Sequence, residues 1–401
     1  MPELFERSRI HLGVKYRSNV IKFNHLSFLW LLAAVSVLSC AKNPIDKKPE
    51  EIGNPTEANH LLFVGNYDNN LYALDSRTGA LRWKFSTSES ILGSPTVASN
   101  VVYFGSYDHK VYAVNAADGK ERWSFQTGGP VYSTPTVSDN ILYFGSSDKK
   151  VYALNASKGT KIWEFETDHY VQTSPTIVNG ILYIGSDDSH IYALDAVSGT
   201  FKWKFAARHQ APISTTPTVS GNMVYVGSYD KTMYALDAAS GELKWKFEID
   251  DVTYASYTSP RVVNGVVYVG SDTGRLYALD TQSGAFIWLF EGSGYSGHAT
   301  IHRGVIYIGS AYDKLYAVDA GTGKEIWSYD TGGDTRSGPT VADELIYVGA
   351  GNQLMAIDIS TRTTKWVFEP ILSHGIGWFL SSPTVLIDGK VYYPGISGSH
   401  P

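Results

Sequence analysis

From residue 60 onward, hydrophobic residues occur in short runs that are separated by glycine, asparagine, aspartate and serine. The runs are rich in valine, isoleucine, tyrosine and phenylalanine, as at positions 101–105 and 111–114. Short β-branched and aromatic runs bounded by turn residues predict β-strands. No apolar period of 3.6 residues interrupts them, so this part of the chain is predicted to contain strands and no amphipathic helix.

Tryptophan marks an internal repeat in the same region. Its spacings are 40, 40, 40, 42, 43, 39 and 39 residues, at Trp83, Trp123, Trp163, Trp203, Trp245, Trp288, Trp327 and Trp366. Each repeat carries four predicted strands, and four strands per repeat of about 40 residues are typical of a propeller blade. We therefore predict an all-β fold, an eight-bladed β-propeller of four-stranded antiparallel blades over residues 60–401.

The repeat resembles the PQQ-like repeat family, which is named after pyrrolo-quinoline quinone enzymes. It combines a Tyr-Ala-Leu-Asp strand, as at Tyr192–Asp195, with a turn that ends in glycine and a tryptophan on the outermost strand. The resemblance covers about residues 60–395. In that family the tryptophan packs against the neighbouring blade, which implies a structural docking role for all eight tryptophans from Trp83 to Trp366.

Aspartates recur at two turns of each repeat. The turn after the third strand begins with Asp or Asn and ends in Gly, as at Asp75 and Gly79, but its eighth copy, Asp358 to Arg362, lacks the glycine and is predicted to be looser. The turn between the second and third strands also carries an aspartate, at Asp68, Asp108, Asp148, Asp188, Asp230 and Asp313. A ring of carboxylates can hold a metal, but recurrence in most repeats favours hairpin capping.

The N-terminal region is predicted to direct export and lipidation. Basic residues precede the apolar stretch Leu26–Leu38, which is too short for a membrane span and has the length of a signal-peptide core. The stretch ends in Val-Leu-Ser-Cys40, which resembles the bacterial lipobox; an ordinary cleavage site is the alternative. We predict a lipoprotein signal peptide over residues 1–39, lipidation of Cys40 and a flexible tether over residues 40–59. Ala41 favours the outer membrane, facing the periplasm, by the sorting rule for such lipoproteins.

Charge and cysteine content exclude several classes of function. Lys plus Arg number 33 against 39 Asp plus Glu, a net charge of −6, so nucleic acid is not expected as a partner. The single cysteine excludes an internal disulfide. Quinoprotein dehydrogenases, which the repeat resembles, hold their quinone beside a disulfide and a Ca²⁺ ion. No Ca²⁺-binding spacing is present, so we predict no cofactor, no metal and no catalytic residues.

The variable part of the repeat is the loop from the outermost strand of one blade to the innermost strand of the next. Strand direction alternates, so these loops share one end of the propeller with the turns between second and third strands. Nine tyrosines outside the repeat core lie at this end. Exposed aromatics are typical of binding surfaces, although packing over the channel mouth is an equal alternative. The predicted binding face is Tyr132, Tyr170, Tyr254, Tyr257, Tyr295, Trp378 and Phe379.

These observations predict a monomeric, lipid-anchored propeller that binds envelope proteins and catalyses nothing. Outer-membrane protein assembly factors of the BamB type have the same propeller and anchor, so a role in that assembly is implied by resemblance. A quinone-dependent dehydrogenase and a polysaccharide-binding surface module are the alternatives. For ring closure, we predict that a C-terminal strand at 382–385 joins the N-terminal strands in one blade. Either 61–65 or 391–393 is then surplus, and it is added at an edge or left irregular.

Overall fold

The computed structural model describes residues 60–249, 258–271, 273–294, 298–335, 337–371, 379 and 381–394. Within them the chain forms eight antiparallel sheets, which confirms the predicted eight-bladed propeller. Its strands are short because each apolar run ends at a turn residue, many of them with positive φ, such as Asn100 at +59° and Gly119 at +68°. No described helix is long and apolar enough to span a membrane.

The strands follow one another in chain order through the blades. The first half comprises β1 (Leu61–Gly65), β2 (Asn70–Asp75) and β3 (Leu81–Ser86) of blade 1; β4 (Thr96–Ala98), β5 (Val101–Gly105), β6 (Lys110–Asn115) and β7 (Glu121–Gln126) of blade 2; β8 (Thr136–Ser138), β9 (Ile141–Gly145), β10 (Lys150–Asn155) and β11 (Lys161–Glu166) of blade 3; and β12 (Thr176–Val178), β13 (Ile181–Gly185), β14 (His190–Asp195) and β15 (Phe201–Ala206) of blade 4.

A 3₁₀ turn, Arg208–Gln210, leads into the second half. This half comprises β16 (Thr218–Ser220), β17 (Met223–Ser228), β18 (Thr232–Asp237) and β19 (Leu243–Glu248) of blade 5; β20 (Arg261–Val263), β21 (Val266–Gly270), β22 (Arg275–Asp280) and β23 (Phe286–Glu291) of blade 6; β24 (Thr300–His302), β25 (Val305–Gly309), β26 (Lys314–Asp319) and β27 (Glu325–Asp330) of blade 7; β28 (Thr340–Ala342), β29 (Leu345–Ala350), β30 (Gln353–Asp358) and β31 (Thr364–Phe368) of blade 8; and β32 (Thr384–Ile387) and β33 (Lys390–Tyr392), which return to blade 1.

The hydrophobic core lies between the blades. The cluster between blades 2 and 3, for example, joins Tyr103 and Val111 of one blade to Leu142 and Phe144 of the next. Because the second and third strands of each blade are buried on both faces, their apolar runs are nearly continuous, whereas the outermost strands alternate between exposed and half-buried positions. Each blade therefore depends on its two neighbours for burial.

Each outermost strand is tied to the next blade through its tryptophan. The indole Nε1 donates to a backbone carbonyl 32 to 36 residues ahead in six blades, and Trp366 reaches Ser76 across the ring closure, at distances of 2.9 to 3.2 Å. The glycine that closes the neighbouring turn lies flat on the indole; a Cβ at Gly199 would approach the Trp163 ring to 2.7 Å. The turn glycine is thus required both for its positive φ and for this contact.

The prediction that the eighth turn is looser is wrong. Arg362 takes the place of glycine with φ +57°, and its N–H donates to the carbonyl of Asp358 at 2.8 Å, as the glycines do in the other turns. The Asp358 carboxylate accepts the N–H groups of Ser360 and Thr361. The Arg362 guanidinium lies 5.9 Å from the centre of the Trp327 ring, so a cation–π contact replaces the glycine–indole contact.

Blade 1 is closed by the C-terminus, as predicted, although the closing strand β32 begins two residues later than expected. The sheet order is β3-β2-β1-β32-β33, so β32 takes the innermost blade position and β33 is a fifth strand. The antiparallel register pairs Phe63 with Thr384, Leu62 with Val385 and Leu61 with Leu386, which joins the two ends of the propeller. The leftover segment is therefore 390–392, and it lies on the side of β32 that faces the propeller axis.

Candidate functional site

Two regions depart from the repeat and are candidates for function. The first is the loop end, defined here as the turns between second and third strands together with the loops that enter the first strand of each blade. The second is the central channel, the axial space enclosed by the innermost strands β4, β8, β12, β16, β20, β24, β28 and β32.

The recurring aspartates of the loop end hold the turns together. In blade 2, Asp108 accepts hydrogen bonds from the backbone N–H of Lys110 at 3.2 Å, from the Tyr112 hydroxyl at 2.6 Å and from the N–H of Ser88 in the entering loop at 3.2 Å. Asp148, Asp188 and Asp230 make the corresponding contacts. Burial, together with the facing carboxylate, raises the pKa of the Tyr112 hydroxyl above its usual range, so it remains a donor. The contacts within the turn, which Asp68 makes in blade 1 as well, confirm hairpin capping for five of the six aspartates. The prediction is wrong for Asp313: it takes the positive-φ place of its turn, at φ +58°, and the Tyr316 hydroxyl pairs with Ser293 instead of with the aspartate.

Tyrosines are displayed on the loop end. Tyr67 is 51% exposed and Tyr170 is 41% exposed, and Tyr229 and Tyr312 are exposed as well. Tyr132 is half-buried and meets the Tyr107 ring edge-on at 4.2 Å between centroids. Of the predicted binding face, Tyr132 and Tyr170 thus lie at this end. Tyr254, Tyr257, Tyr295 and Trp378 lie outside the described residues.

The prediction that Phe379 is displayed at this face is wrong, because the side chain is only 2% exposed. Its ring packs between blades 8 and 1, 6.3 Å from Tyr72 and 6.4 Å from Phe368. The Phe379 N–H donates to the carbonyl of Gly351 at 3.0 Å. A sequence signal existed: Phe379 stands four residues before a strand-entry proline, as do the buried Ile91, Val131, Val171 and Ile213.

Sequence reasoning missed an acidic group on the loop end at blade 4. Asp187 occupies the turn position where blades 1, 2 and 5 carry tyrosine. Burial raises its pKa to about 6, an effect that His169 opposes and Asp188 reinforces. The Asp187 carboxylate lies 4.0 Å from the His169 imidazole, which in turn lies against the Tyr170 ring at 4.4 Å. Its signal in the sequence is the Asp-Asp pair at 187–188.

A ring of threonine hydrogen bonds surrounds the central channel. In seven blades the first residue of the innermost strand is threonine, and its hydroxyl donates to the carbonyl of the strand-entry proline in the next blade at 2.5 to 2.8 Å. Blade 6 carries Arg261 instead. Its Nε takes over the contact by donating to the carbonyl of Ala299, which replaces proline in blade 7, at 3.4 Å.

A second ring runs beside the first. Its members are the residues that precede the strand-entry proline of each blade, or Ala299 in blade 7. The backbone N–H of such a residue donates to the side chain of its equivalent in the next blade at 2.8 to 3.4 Å. The donors are Ser94, Thr134, Ser174, Thr216, Ser259, Gly338 and Ser382. In blade 7 the acceptor is not a hydroxyl but the Nδ1 atom of His298. Arg261, His298, Ala299 and Gly338 therefore form one local break in both rings.

The C-terminal segment starts at blade 1, crosses the channel and contacts this break. Strand β33 pairs with β32, and the Tyr393 hydroxyl then donates to the carbonyl of Val97 in blade 2 at 2.8 Å. The guanidinium NH2 of Arg261 donates to the carbonyl of Pro394 at 3.2 Å. Because Arg261 belongs to blade 6, the segment 390–394 spans the channel from blade 1 toward the other side.

Burial changes the protonation of the two ionisable groups at the break. It lowers the pKa of Arg261 to about 10, and it lowers the pKa of His298, which also feels the Arg261 charge, to about 4. At pH 7 Arg261 is charged and His298 is neutral. Sequence analysis could find the Pro-to-Ala change at 299, but the contact between Arg261 and Pro394 joins residues 133 positions apart.

The comparison with protein families identifies the repeat. A family described as outer membrane protein assembly factor BamB matches residues 39–168, 158–291 and 289–399, which together cover most of the chain. This chain belongs to the BamB family. A search of the curated proteins finds no match.

Solved structures with the BamB-family fold come from functionally different proteins. BamB from Moraxella catarrhalis is 19% identical, with a TM-score of 0.63 over 80% of this chain and 94% of its own. The computationally designed Ika8 protein is 17% identical, with a TM-score of 0.64 over 80% and 93%. A europium-containing methanol dehydrogenase is 14% identical, with a TM-score of 0.66 over 77% and 83%. At these identities the likeness shows the fold alone.

The residues of this BamB-family chain do not fit a pyrrolo-quinoline quinone. The single cysteine, Cys40, precedes the propeller, so no disulfide can lie beside a ring system in the channel. Among the described residues no group of three or more His, Cys, Asp or Glu side chains could hold a metal ion. The channel itself is spanned by the segment 390–394.

Proposed function

We propose that this chain is a non-catalytic, lipid-anchored scaffold of the bacterial envelope that takes part in outer-membrane protein assembly. The observation that carries the proposal is the BamB-family match over residues 39–399. Its rigid ring of eight blades, closed by both ends of the chain, supports this function because it can hold binding loops in fixed positions.

The proposed anchor is Cys40, after removal of the signal peptide 1–39, with residues 40–59 as a tether to the propeller. We expect Cys40→Ser to leave an unlipidated precursor, whereas Ser39→Ala, which keeps a small residue before the cysteine, should be processed and lipidated. Stable anchoring needs more than one acyl chain. The Cys40→Ser chain carries none, so any of it that is released by cleavage should leave the membrane fraction. Intact-mass spectrometry and membrane fractionation give the readouts. A wild-type chain that is lipid-free and begins after residue 40 would contradict the anchor.

The absence of catalysis is proposed from the channel and not from the fold, since a dehydrogenase shares the fold. The segment 390–394 occupies the axial space, and the channel-facing hydroxyls are engaged in the threonine ring. The proposal predicts no quinone absorbance in the protein after incubation with pyrrolo-quinoline quinone and Ca²⁺. Appearance of a bound-cofactor spectrum would favour the dehydrogenase alternative.

The proposed partner surface is the loop end. Tyr67 and Tyr170 are exposed there without contributing to the interblade clusters, so their removal should leave the fold intact. A tyrosine anchor at an interface typically contributes about 2 kcal/mol, roughly a thirtyfold change in affinity. We expect Tyr67→Ala with Tyr170→Ala to lower recovery of crosslinked envelope protein strongly, at an unchanged melting temperature.

The matched control for the loop end lies at the opposite end of the propeller. Lys158→Ala with Lys324→Ala changes two exposed residues in the turns after the third strands and should leave recovery unchanged. A third variant, Trp378→Ala, tests the longest loop. Loss of recovery in the lysine pair alone, without unfolding, would show that the faces are assigned incorrectly. Binding of purified polysaccharide that depends on the same tyrosines would favour the polysaccharide-binding alternative.

A further inference from the structure

The break in the two channel rings replaces hydroxyl groups with the nitrogen-bearing side chains of Arg261 and His298. In the first ring, Arg261 of blade 6 stands at the position where the other seven blades carry threonine. In the second, His298 replaces a serine or threonine, and Gly338 follows it in the next blade. A Cβ at Gly338 would lie 2.8 Å from the His298 Cβ, so the close approach of the two backbones requires glycine at 338. The two changes are therefore adjacent in space.

The protons at this break can be assigned from the contacts. His298 accepts the N–H of Ser259 at Nδ1, so its own proton is on Nε2, which is a donor only. The guanidinium of Arg261 has five N–H donors, of which one at Nε bonds Ala299 and one at NH2 bonds Pro394. Both residues are half-buried. The remaining polar groups of these two side chains are donors.

The charge of Arg261 needs a counter-charge. Burial of a cation is costly unless it is paired, and two carbonyl contacts neutralise none of the charge. Among the described residues no carboxylate forms an ion pair with Arg261, although the chain as a whole carries a net charge of −6. A planar guanidinium matches the oxygens of a carboxylate or phosphate group, which accept two of its N–H groups at once.

We propose that Arg261 and His298 bind a small oxyanion, a carboxylate or phosphate group, in the central channel beside the segment 390–394. Arg261 supplies the charge and a fork of N–H donors, and His298 adds the Nε2–H donor. The carbonyl of Pro394 fixes the orientation of the guanidinium. The bound anion in turn stabilises the chain end that spans the channel, because both contact the same arginine.

Calorimetric titration of the full-length protein in non-ionic detergent tests the site. Inorganic phosphate and acetate are titrated separately, with sodium chloride holding the ionic strength constant. We expect at least one of them to bind with a stoichiometry near one and to raise the melting temperature. Selective binding of phosphate indicates a phosphate-bearing ligand, and selective binding of acetate indicates a carboxylate. Absence of binding by both anions overturns the proposal.

Variants separate the site from the fold. Arg261→Gln keeps an N–H donor for Pro394 but deletes the charge, and it should weaken binding at least roughly tenfold. Arg261→Thr restores the residue of the other seven blades and should have the same effect; His298→Ser should weaken binding by a smaller factor. Arg122→Thr, which removes an arginine from the exposed outer strand β7, is the control and should bind as wild type. Unchanged binding in Arg261→Gln, or equal weakening in Arg122→Thr, overturns the proposal.

Discussion

A chain that ends at residue 381 is expected to lose the cooperative unfolding transition of the full-length protein. The truncation removes β32 and with it the buried Val385, Leu386 and Ile387. Each such side chain contributes about 1.5–3 kcal/mol by burial, which together is a large part of the roughly 5–15 kcal/mol that stabilises a domain. It also exposes the edge of β1 and removes the bond from the Thr384 hydroxyl to the Pro95 carbonyl. Urea unfolding followed by tryptophan fluorescence measures the loss.

A chain that ends at residue 388 is the matched control. It keeps β32 and its pairing with β1 but removes β33 and the contacts of Tyr393 and Pro394. We expect this chain to unfold cooperatively, at a lower urea concentration than the full-length protein, since only the channel segment and the buried Val391 are lost. If the chain ending at 381 unfolds at the same urea concentration as the chain ending at 388, the ring is not closed by β32.

Trp163→Ala is expected to lower the free energy of unfolding by about 3–5 kcal/mol, the usual cost of removing a large buried aromatic side chain. Trp163 is 9% exposed, and its ring packs 6.0 Å from that of Tyr143 and against Gly199 of the next blade. Its Nε1 donates to the Ala196 carbonyl at 3.0 Å, so truncation leaves both a cavity and an unpaired carbonyl. Equilibrium urea unfolding of the purified variant provides the value.

Ile162→Ala, on the same strand, separates packing from strand propensity. Ile162 is 46% exposed, and its replacement should change the free energy of unfolding by no more than about 0.5 kcal/mol. A similar loss in both variants would mean that β11 is sensitive to any substitution. An unchanged midpoint for Trp163→Ala would show that the contact between the tryptophan and the next blade does not stabilise the ring.

The blades could be predicted from the sequence because the same local chemistry recurs eight times. Tryptophan, turn aspartate and turn glycine each stand at a fixed place in the repeat, so strand order and blade count follow from their spacing. Errors arose where one copy differs. Arg362 lacks the glycine of the other turns, yet it takes the same positive φ, since its contact with Trp327 and the Asp358 carboxylate hold the turn. Phe379 lies in the longest loop, but its place four residues before a strand-entry proline is the place of the buried Val131.

The channel could not be predicted, because its contacts join distant parts of the chain. The sequence offers five candidate strands for the four places of blade 1, but whether 61–65 or 391–393 is the surplus strand depends on packing between blades 8, 1 and 2. The change from threonine to arginine at position 261 is visible in the sequence, whereas its contact with Pro394 is not. The departure from the Pro motif at 298–299 is visible in the sequence as well, but its contact with Arg261 is not.

The closure of blade 1 also determines when the fold can be completed. The bonds between Gly65 and Ser381 and between Ser94 and Ser382 join residues 316 and 288 positions apart. During synthesis, β1 emerges before every other described strand and its inner partner β32 emerges next to last, so a nascent chain carries an open strand edge until almost the whole propeller has left the ribosome. Long-range pairing of this kind is slow and exposes partly folded chains to aggregation. For the envelope scaffold proposed above, remaining unfolded until translocation is finished is an advantage, since no shorter part of the propeller can close the ring.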